Sequence, residues 1–279
     1  MVNIKRNITS SKILLIVVIL IFNNFSVQAE EIKFNAEKCN LLWFDISNKH
    51  GKEVNKVLLK KWLAVSPKCN GTGIYEFRLG VIYERLGMSD KFKNIVEKGL
   101  ALKSPYNHYL KVSQLTILLS EAAKENRIDS DLERKLVAGY EGLIKSHKDW
   151  IVPYESLTNI YTLFKNPDKI IFYARKSLEL NNNSYMGHLG LVIGYTYKKK
   201  YKDARPHIML AAGNNEKLFS NVEFMCAAAW IYASLNEHEL ASSVLNRLLT
   251  ENPRAKKTDR MKKTYFYAKK RYENSLGVK

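Results

Sequence analysis

The sequence lacks the patterns that carry chemistry. Its six histidines (His50, His108, His147, His188, His207 and His238) never share the spacing that puts two metal ligands on one helical face. No HExxH occurs. No glycine-rich phosphate loop is present: Gly187, Gly190 and Gly194 lie inside an apolar helical run and read as close helix contacts. No serine sits in a G-x-S-x-G turn. No metal, no cofactor and no catalytic residue is therefore expected. Beyond residue 22 every apolar run is broken by charge within a helix length, which leaves no later candidate for a membrane span. Acidic residues are also scarce, 27 against 45 Lys plus Arg, a net charge of +18.

What the N-terminus does have is a leader pattern. Lys5, Arg6 and Lys12 precede an unbroken apolar run from Ile13 to Phe22, and Val27-Gln28-Ala29 follows. A basic segment, a ten-residue apolar run and small residues before the cut make residues 1–29 a secretory signal. Ten apolar residues fall short of the ~20 that cross a bilayer, so the alternative is an N-terminal membrane anchor built on a longer, Asn-interrupted stretch. Removing residues 1–29 takes three basic residues and no acidic one, which leaves 42 against 27, or +15. The Lys-, Asn- and Ile-rich composition looks bacterial. The expected destination is then the periplasm or beyond.

The second thing present is a repeat. Residues 185–212 hold an apolar run (Leu189, Leu191, Val192, Ile193, Tyr195), a short basic turn, and a second run at helical spacing (Ala204, Ile208, Ala211). The preceding stretch overlays on it with a shift of 34 residues: Tyr154 on His188, Leu157 on Leu191, Tyr161 on Tyr195, Ile170 on Ala204, Ala174 on Ile208 and Ser177 on Ala211. A third copy carries Met225, Ala228-Ala229, Tyr232, Ala241, Leu245 and Leu248. It is offset by 37 residues, which puts about three extra residues in a loop at 213–219. A fourth lies upstream, with Leu79-Gly80, Tyr83 and Gly87, then Phe92, Val96 and Gly99. Gly87 suits a turn needing positive φ, and Phe92 stands where a small residue is usual, which asks for a wider helix pair.

The units are thus 73–105, 151–184, 185–221 and 222–255, with diverged helix pairs at 35–70 and 106–149. In the first pair Leu41, Leu42, Trp43 and Ile46 carry one helix and Val57, Leu58 and Trp62 the next. Residues 256–279 form a basic C-terminal helix whose stripe Met261, Tyr265, Ala268 and Tyr272 caps the last repeat.

On these residues the chain resembles the tetratricopeptide-repeat family over 73–105 and 151–253. The resemblance implies an all-α fold, a right-handed α-solenoid of antiparallel helix pairs. It also implies a concave face, lined by the first helices, that holds a protein or peptide partner. The family's carboxylate-gripping groove uses Lys and Asn. The matching positions here are Glu155 and Asn159, Leu189 and Ile193, and Cys226 and Trp230, so the Lys positions are acidic or apolar and that clamp is not expected. The candidate groove is apolar and aromatic: Met186, Leu189, Ile193, Tyr197 and Trp230 beside Glu155 and Asn159. Either neighbouring helices cover these side chains, or a partner does. His188 reads as a core histidine and His238, at a helix start, as a solvated one. A glycosidase grafted on such a solenoid would need length that the repeats already occupy, so the expected function is a non-catalytic envelope scaffold.

Two further features stand open. Arg254, Lys256, Lys257, Arg260, Lys262, Lys263, Lys269, Lys270 and Arg271 crowd the 18 residues 254–271 with only Asp259 against them, and Tyr265, Phe266, Tyr267 and Tyr272 interleave. This is a solvated face of a capping helix, or a contact for an anionic envelope surface such as lipid, lipopolysaccharide or cell-wall polymer. Nucleic acid is not expected after export. Cys39 and Cys69 fall at neighbouring ends of one antiparallel pair, where a bridge would close about 30 residues and contribute ~3–4 kcal/mol in the chain-entropy model. Cys226, in an Ala-rich helix, reads as an inert buried thiol.

Overall fold

A computed structural model of the chain describes residues 34–48, 54–102, 104–214, 218–219, 221–254 and 259–275. The leader at 1–29 and the lysines at 256 and 257 lie outside the described residues, as do 215–217 of the 213–219 loop. The described residues form fourteen α-helices and no strand. Two compact units divide the chain, Met1–Leu143 and Ile144–Lys279.

The first unit holds α1 (Phe34–Asn48), α2 (Val54–Ala64), the single turn α3 (Ser66–Cys69), α4 (Ile74–Arg85), α5 (Ser89–Leu100), α6 (Asn107–Lys124) and most of α7 (Ser130–Ser146). Cys39 and Cys69 are joined as a disulfide with Cα atoms 5.6 Å apart. Around it Trp62 meets Trp43 edge-on at 5.2 Å and stacks on Tyr75 at 5.5 Å. The Trp62 indole N–H donates to the Tyr75 carbonyl at 3.3 Å. Arg78 is fully buried, 5.0 Å over the Trp43 ring, and donates to Asn40 Oδ1 at 3.0 Å. Burial pulls its guanidinium down to about 9. Leu41, expected in this core, is 61% exposed, and Val57 also faces out. The buried face of α1 runs Ala36, Cys39 and Trp43. Leu41 sits two residues from Cys39, on the opposite side of a 3.6-residue turn. Phe92 lies over Gly80, where an added Cβ would stand 3.4 Å from its ring.

The second unit is more regular. Its pairs are α8 (Ile151–Leu163) with α9 (Pro167–Leu180), α10 (Tyr185–Tyr197) with α11 (Tyr201–Asn214), and α12 (Val222–Ser234) with α13 (His238–Glu251). The last helix, α14 (Asp259–Ser275), packs on α12 and α13. First helices neighbour one another in order, α8 beside α10 and α10 beside α12. The small and apolar positions aligned by the repeat (Ile170, Ala174, Ser177; Ala204, Ile208, Ala211; Ala241, Leu245, Leu248) are all buried.

Helix ends explain why the repeat keeps its length. Asn166, Ser184 and Asn221 accept from the amides of Lys169, Gly187 and Phe224, each capping a helix start. At the far end of four first helices one residue takes positive φ: Gly87 (70°), Lys165 (57°), Lys199 (57°) and Asn236 (62°). The next amide then reaches back to the carbonyl of the repeat tyrosine, Tyr83, Tyr161, Tyr195 or Tyr232, at 2.8–2.9 Å. That is the reversed-turn closure of a helix C-terminus. The tyrosine thus serves twice, as a packing side chain and as the carbonyl that accepts the closing amide.

Candidate interaction surface

The groove candidates all lie in the second unit, on α8, α10 and α12, and they separate into three groups. Glu155 and Asn159 stand one turn apart on α8. Glu155 is 1% exposed, and its Oε1 accepts from the hydroxyl of Ser184, the cap of α10. Its other oxygen is buried without a hydrogen-bond partner, as is Nδ2 of Asn159. Burial pushes the Glu155 carboxyl up to about 7, and the Ser184 bond opposes this only in part.

Met186 and Leu189 form the second group. Both are buried within the unit, at 1% and 7% exposure. The cause is the glycine spacing of α10. A Cβ on Gly190 would stand 2.4 Å from Thr158 Cγ2, and one on Gly194 2.6 Å from Ile171 Cγ1. With no side chains there, α10 sinks against α8 and α9 and takes Met186 and Leu189 with it.

Ile193, Tyr197 and Trp230 are the third group. Ile193 is half-buried, and Tyr197, one turn on, is 43% exposed. Trp230 is covered by the chain itself. Tyr267 of α14 lies flat on it, with ring centroids 3.7 Å apart. Its indole N–H donates to the Tyr201 hydroxyl at 3.4 Å.

The stripe expected to dock α14 is corrected. Met261 and Ala268 are buried as read, but Tyr265 and Tyr272 are exposed. Thr264, Tyr267 and Arg271 complete the packed side instead. The turn of the helix gives Tyr267 its stack and a 3.0 Å contact with the Ser234 hydroxyl. It also brings Arg271 to the end of α12, where it donates to the carbonyls of Ala233 and Ser234 and to Asn236 Oδ1. Arg271 therefore faces inward, while Lys262, Lys263, Lys269 and Lys270 are exposed. The side chain of Arg260 is not among those described. His238 is not a solvated residue either. Tyr272 lies edge-on at 5.5 Å, and both His238 ring nitrogens are buried without a hydrogen-bond partner.

One pair was not legible from the sequence. His188 on α10 and His207 on α11 bring their Nδ1 atoms to 3.1 Å. The His188 Nε2–H donates to the Asn182 carbonyl at 3.0 Å, so the two Nδ1 atoms share one proton. Burial holds both imidazoles below the usual histidine range. For His207 the neighbouring His188 and then Arg175 push the same way. Residues 19 apart on different helices give no spacing signal.

Repeated helix pairs, first helices side by side and a terminal helix closing the stack define a tetratricopeptide-type solenoid. The family model of the tetratricopeptide repeat matches residues 222–254, which are α12 and α13. Residues 222–254 accordingly form a tetratricopeptide repeat, set in an all-α fold of helix pairs. Among solved structures it is similar to PilW, a widely conserved type IV pilus biogenesis factor, at 11% identity with a TM-score of 0.58. The match covers 85% of this chain and 100% of PilW. A thermophilic tetratricopeptide protein of Thermus thermophilus aligns at 16% identity and TM-score 0.48, over 70% of this chain and 98% of its own. YrrB, a tetratricopeptide protein with an unusual peptide-binding site, aligns at 13% and 0.47, over 75% and 97%. At such identities the likeness is one of fold. No curated protein sequence matches the chain.

Proposed function

We propose that this protein is an exported, non-catalytic scaffold that holds a protein partner of the bacterial envelope along the exposed edge of α10. The observation that carries this reading is Tyr197. It is 43% exposed one turn from half-buried Ile193, on the first-helix face that neither Met186 nor Leu189 is free to offer. An aromatic ring with an apolar neighbour is a small anchor for a partner segment. The leader pattern at 1–29 supports export, and PilW, which shares the fold, is a pilus biogenesis factor.

Site-specific photo-crosslinking in cells tests it. A crosslinker at Tyr197 is expected to trap one discrete partner, and a crosslinker at Phe172, exposed on second helix α9, is not. Equal adducts from both positions, or none from Tyr197, would sink the proposal. A second reading sets an anionic envelope surface against α14. The four outward lysines favour it.

A further inference from the structure

The outer face of α14 has an order that its charge count does not convey. Phe266 is 69% exposed, more than any other large apolar side chain among the described residues. Lys262 and Lys263 lie one turn before it and Lys269 and Lys270 one turn after, all exposed. Positions three and four apart on a helix are surface neighbours, so one phenyl ring sits inside a frame of four ammonium groups. Tyr265 and Tyr272 flank the face, both at least half exposed. Among the described residues of that face the acids are Asp259, one turn before Lys262 and Lys263, and Glu273, 3.7 Å from Lys269.

We propose that this face lies flat on an anionic lipid bilayer, with Phe266 inserted at the headgroup boundary and the four lysines among the lipid phosphates. The proposal rests on the second reading above and narrows the anionic surface to a bilayer. Two features select lipid over a soluble polyanion. Among the described side chains of α14 the outward cations are all lysines, point charges that need no fixed phosphate geometry, whereas Arg271, suited to directed recognition, is used inward on α12. And a soluble polyanion gives an exposed phenyl ring nothing to enter, while a bilayer offers hydrocarbon just below its charge and suits tyrosines at the boundary. A helix of 17 residues is about 25 Å long. It lies along the surface rather than across it, since no described helix is long and apolar enough to span.

The test is co-sedimentation of the full chain with vesicles of phosphatidylglycerol and phosphatidylcholine, compared with phosphatidylcholine alone and with soluble polyphosphate. Every variant keeps the same N-terminal apolar run, so its contribution cancels. Binding is expected only with the anionic vesicles and is expected to fall steeply between about 0.05 M and about 0.5 M salt. Phe266→Ala is expected to weaken it about tenfold. Reversal of Lys262, Lys263, Lys269 and Lys270 to Glu is expected to abolish it. Phe266→Trp adds fluorescence that brominated lipid quenches. Circular dichroism of the exposed-site variants stays unchanged. If polyphosphate binds as tightly as vesicles and Phe266→Ala changes nothing, the bilayer proposal falls and the broader anionic reading survives. If neither vesicles nor polyphosphate bind, both fall. Tighter binding to duplex DNA than to vesicles overturns the bilayer proposal as well.

Discussion

Tyr267 lies on Trp230 with ring planes 6° from parallel. This contact covers a candidate groove residue with the chain's own terminal helix. It joins the Ser234 hydroxyl contact and the Arg271 bonds in fixing α14 against α12. Tyr267→Ala should loosen that helix at a cost of about 2 kcal/mol, from the lost stack and half-buried ring. Limited trypsin digestion checks it. Cleavage within 259–275 should quicken in the Ala variant and stay near the parent rate in Tyr267→Phe, which keeps the stack.

The buried glycine of α10 supplies the second prediction. Gly190→Ala would put a methyl 2.4 Å from Thr158 Cγ2 and 2.8 Å from Ala174 Cβ. Overpacking of this kind costs about 1–3 kcal/mol. Gly142→Ala, with nothing within 4 Å, should stabilise α7 by about 0.5–1 kcal/mol. Urea midpoints should move in opposite directions.

The histidine pair predicts an acid response. Both imidazoles are held low in the folded chain, so the unfolded chain takes up protons first as pH falls. The stability they contribute is complete above the ordinary histidine value near 6.5 and drains away below it. His207→Gln, whose amide can still donate to His188 Nδ1, should flatten the loss of melting temperature between about pH 6.5 and pH 5. An unchanged acid slope would remove the pair as its source.

Glu155 acts in the other direction. Its carboxyl is raised from 4.5 to about 7, so the folded chain holds the proton more firmly than the unfolded one. Its contribution is present below 4.5 and lost as pH rises through about 7. Glu155→Gln keeps an acceptor for Ser184 and carries no charge. It should raise stability by about 2 kcal/mol at pH 8 and leave pH 4 nearly unchanged, read from melting curves at both values.

The two lysines with positive φ offer a stabilising change. Lys165 and Lys199 hold φ of 57° where the equivalent residue of the first unit is Gly87. A non-glycine residue there costs about 1–2 kcal/mol, part of which glycine's chain entropy returns. Lys199→Gly should gain about 0.5–1 kcal/mol in denaturant unfolding. A loss would show that the Lys side chain contributes there.

Much of the fold was legible because its signals are local. Tyr161, Tyr195 and Tyr232 recur in register, and Ile170, Ala204 and Ala241 mark the tight second-helix contact, all buried as the pattern requires. The surface was less legible. Met186 and Leu189 share the apolar character of Tyr197 and differ from it only in what packs above them. Tyr265 and Tyr267 are two residues apart in one helix, and the sequence favours the wrong one for the docked side.

By itself the amino-acid sequence determined the repeat period and the core positions of the copies between residues 151 and 253. Each depends on spacing within a few turns: a cap, a reversed-turn residue, a small residue facing the next helix. Only the tertiary structure decided the rotation of α14, the cover over Trp230 and the meeting of His188 with His207. A helix turned about its axis changes partners without changing any local preference. The outcome rests on side chains tens of residues away, which a linear pattern does not bring together.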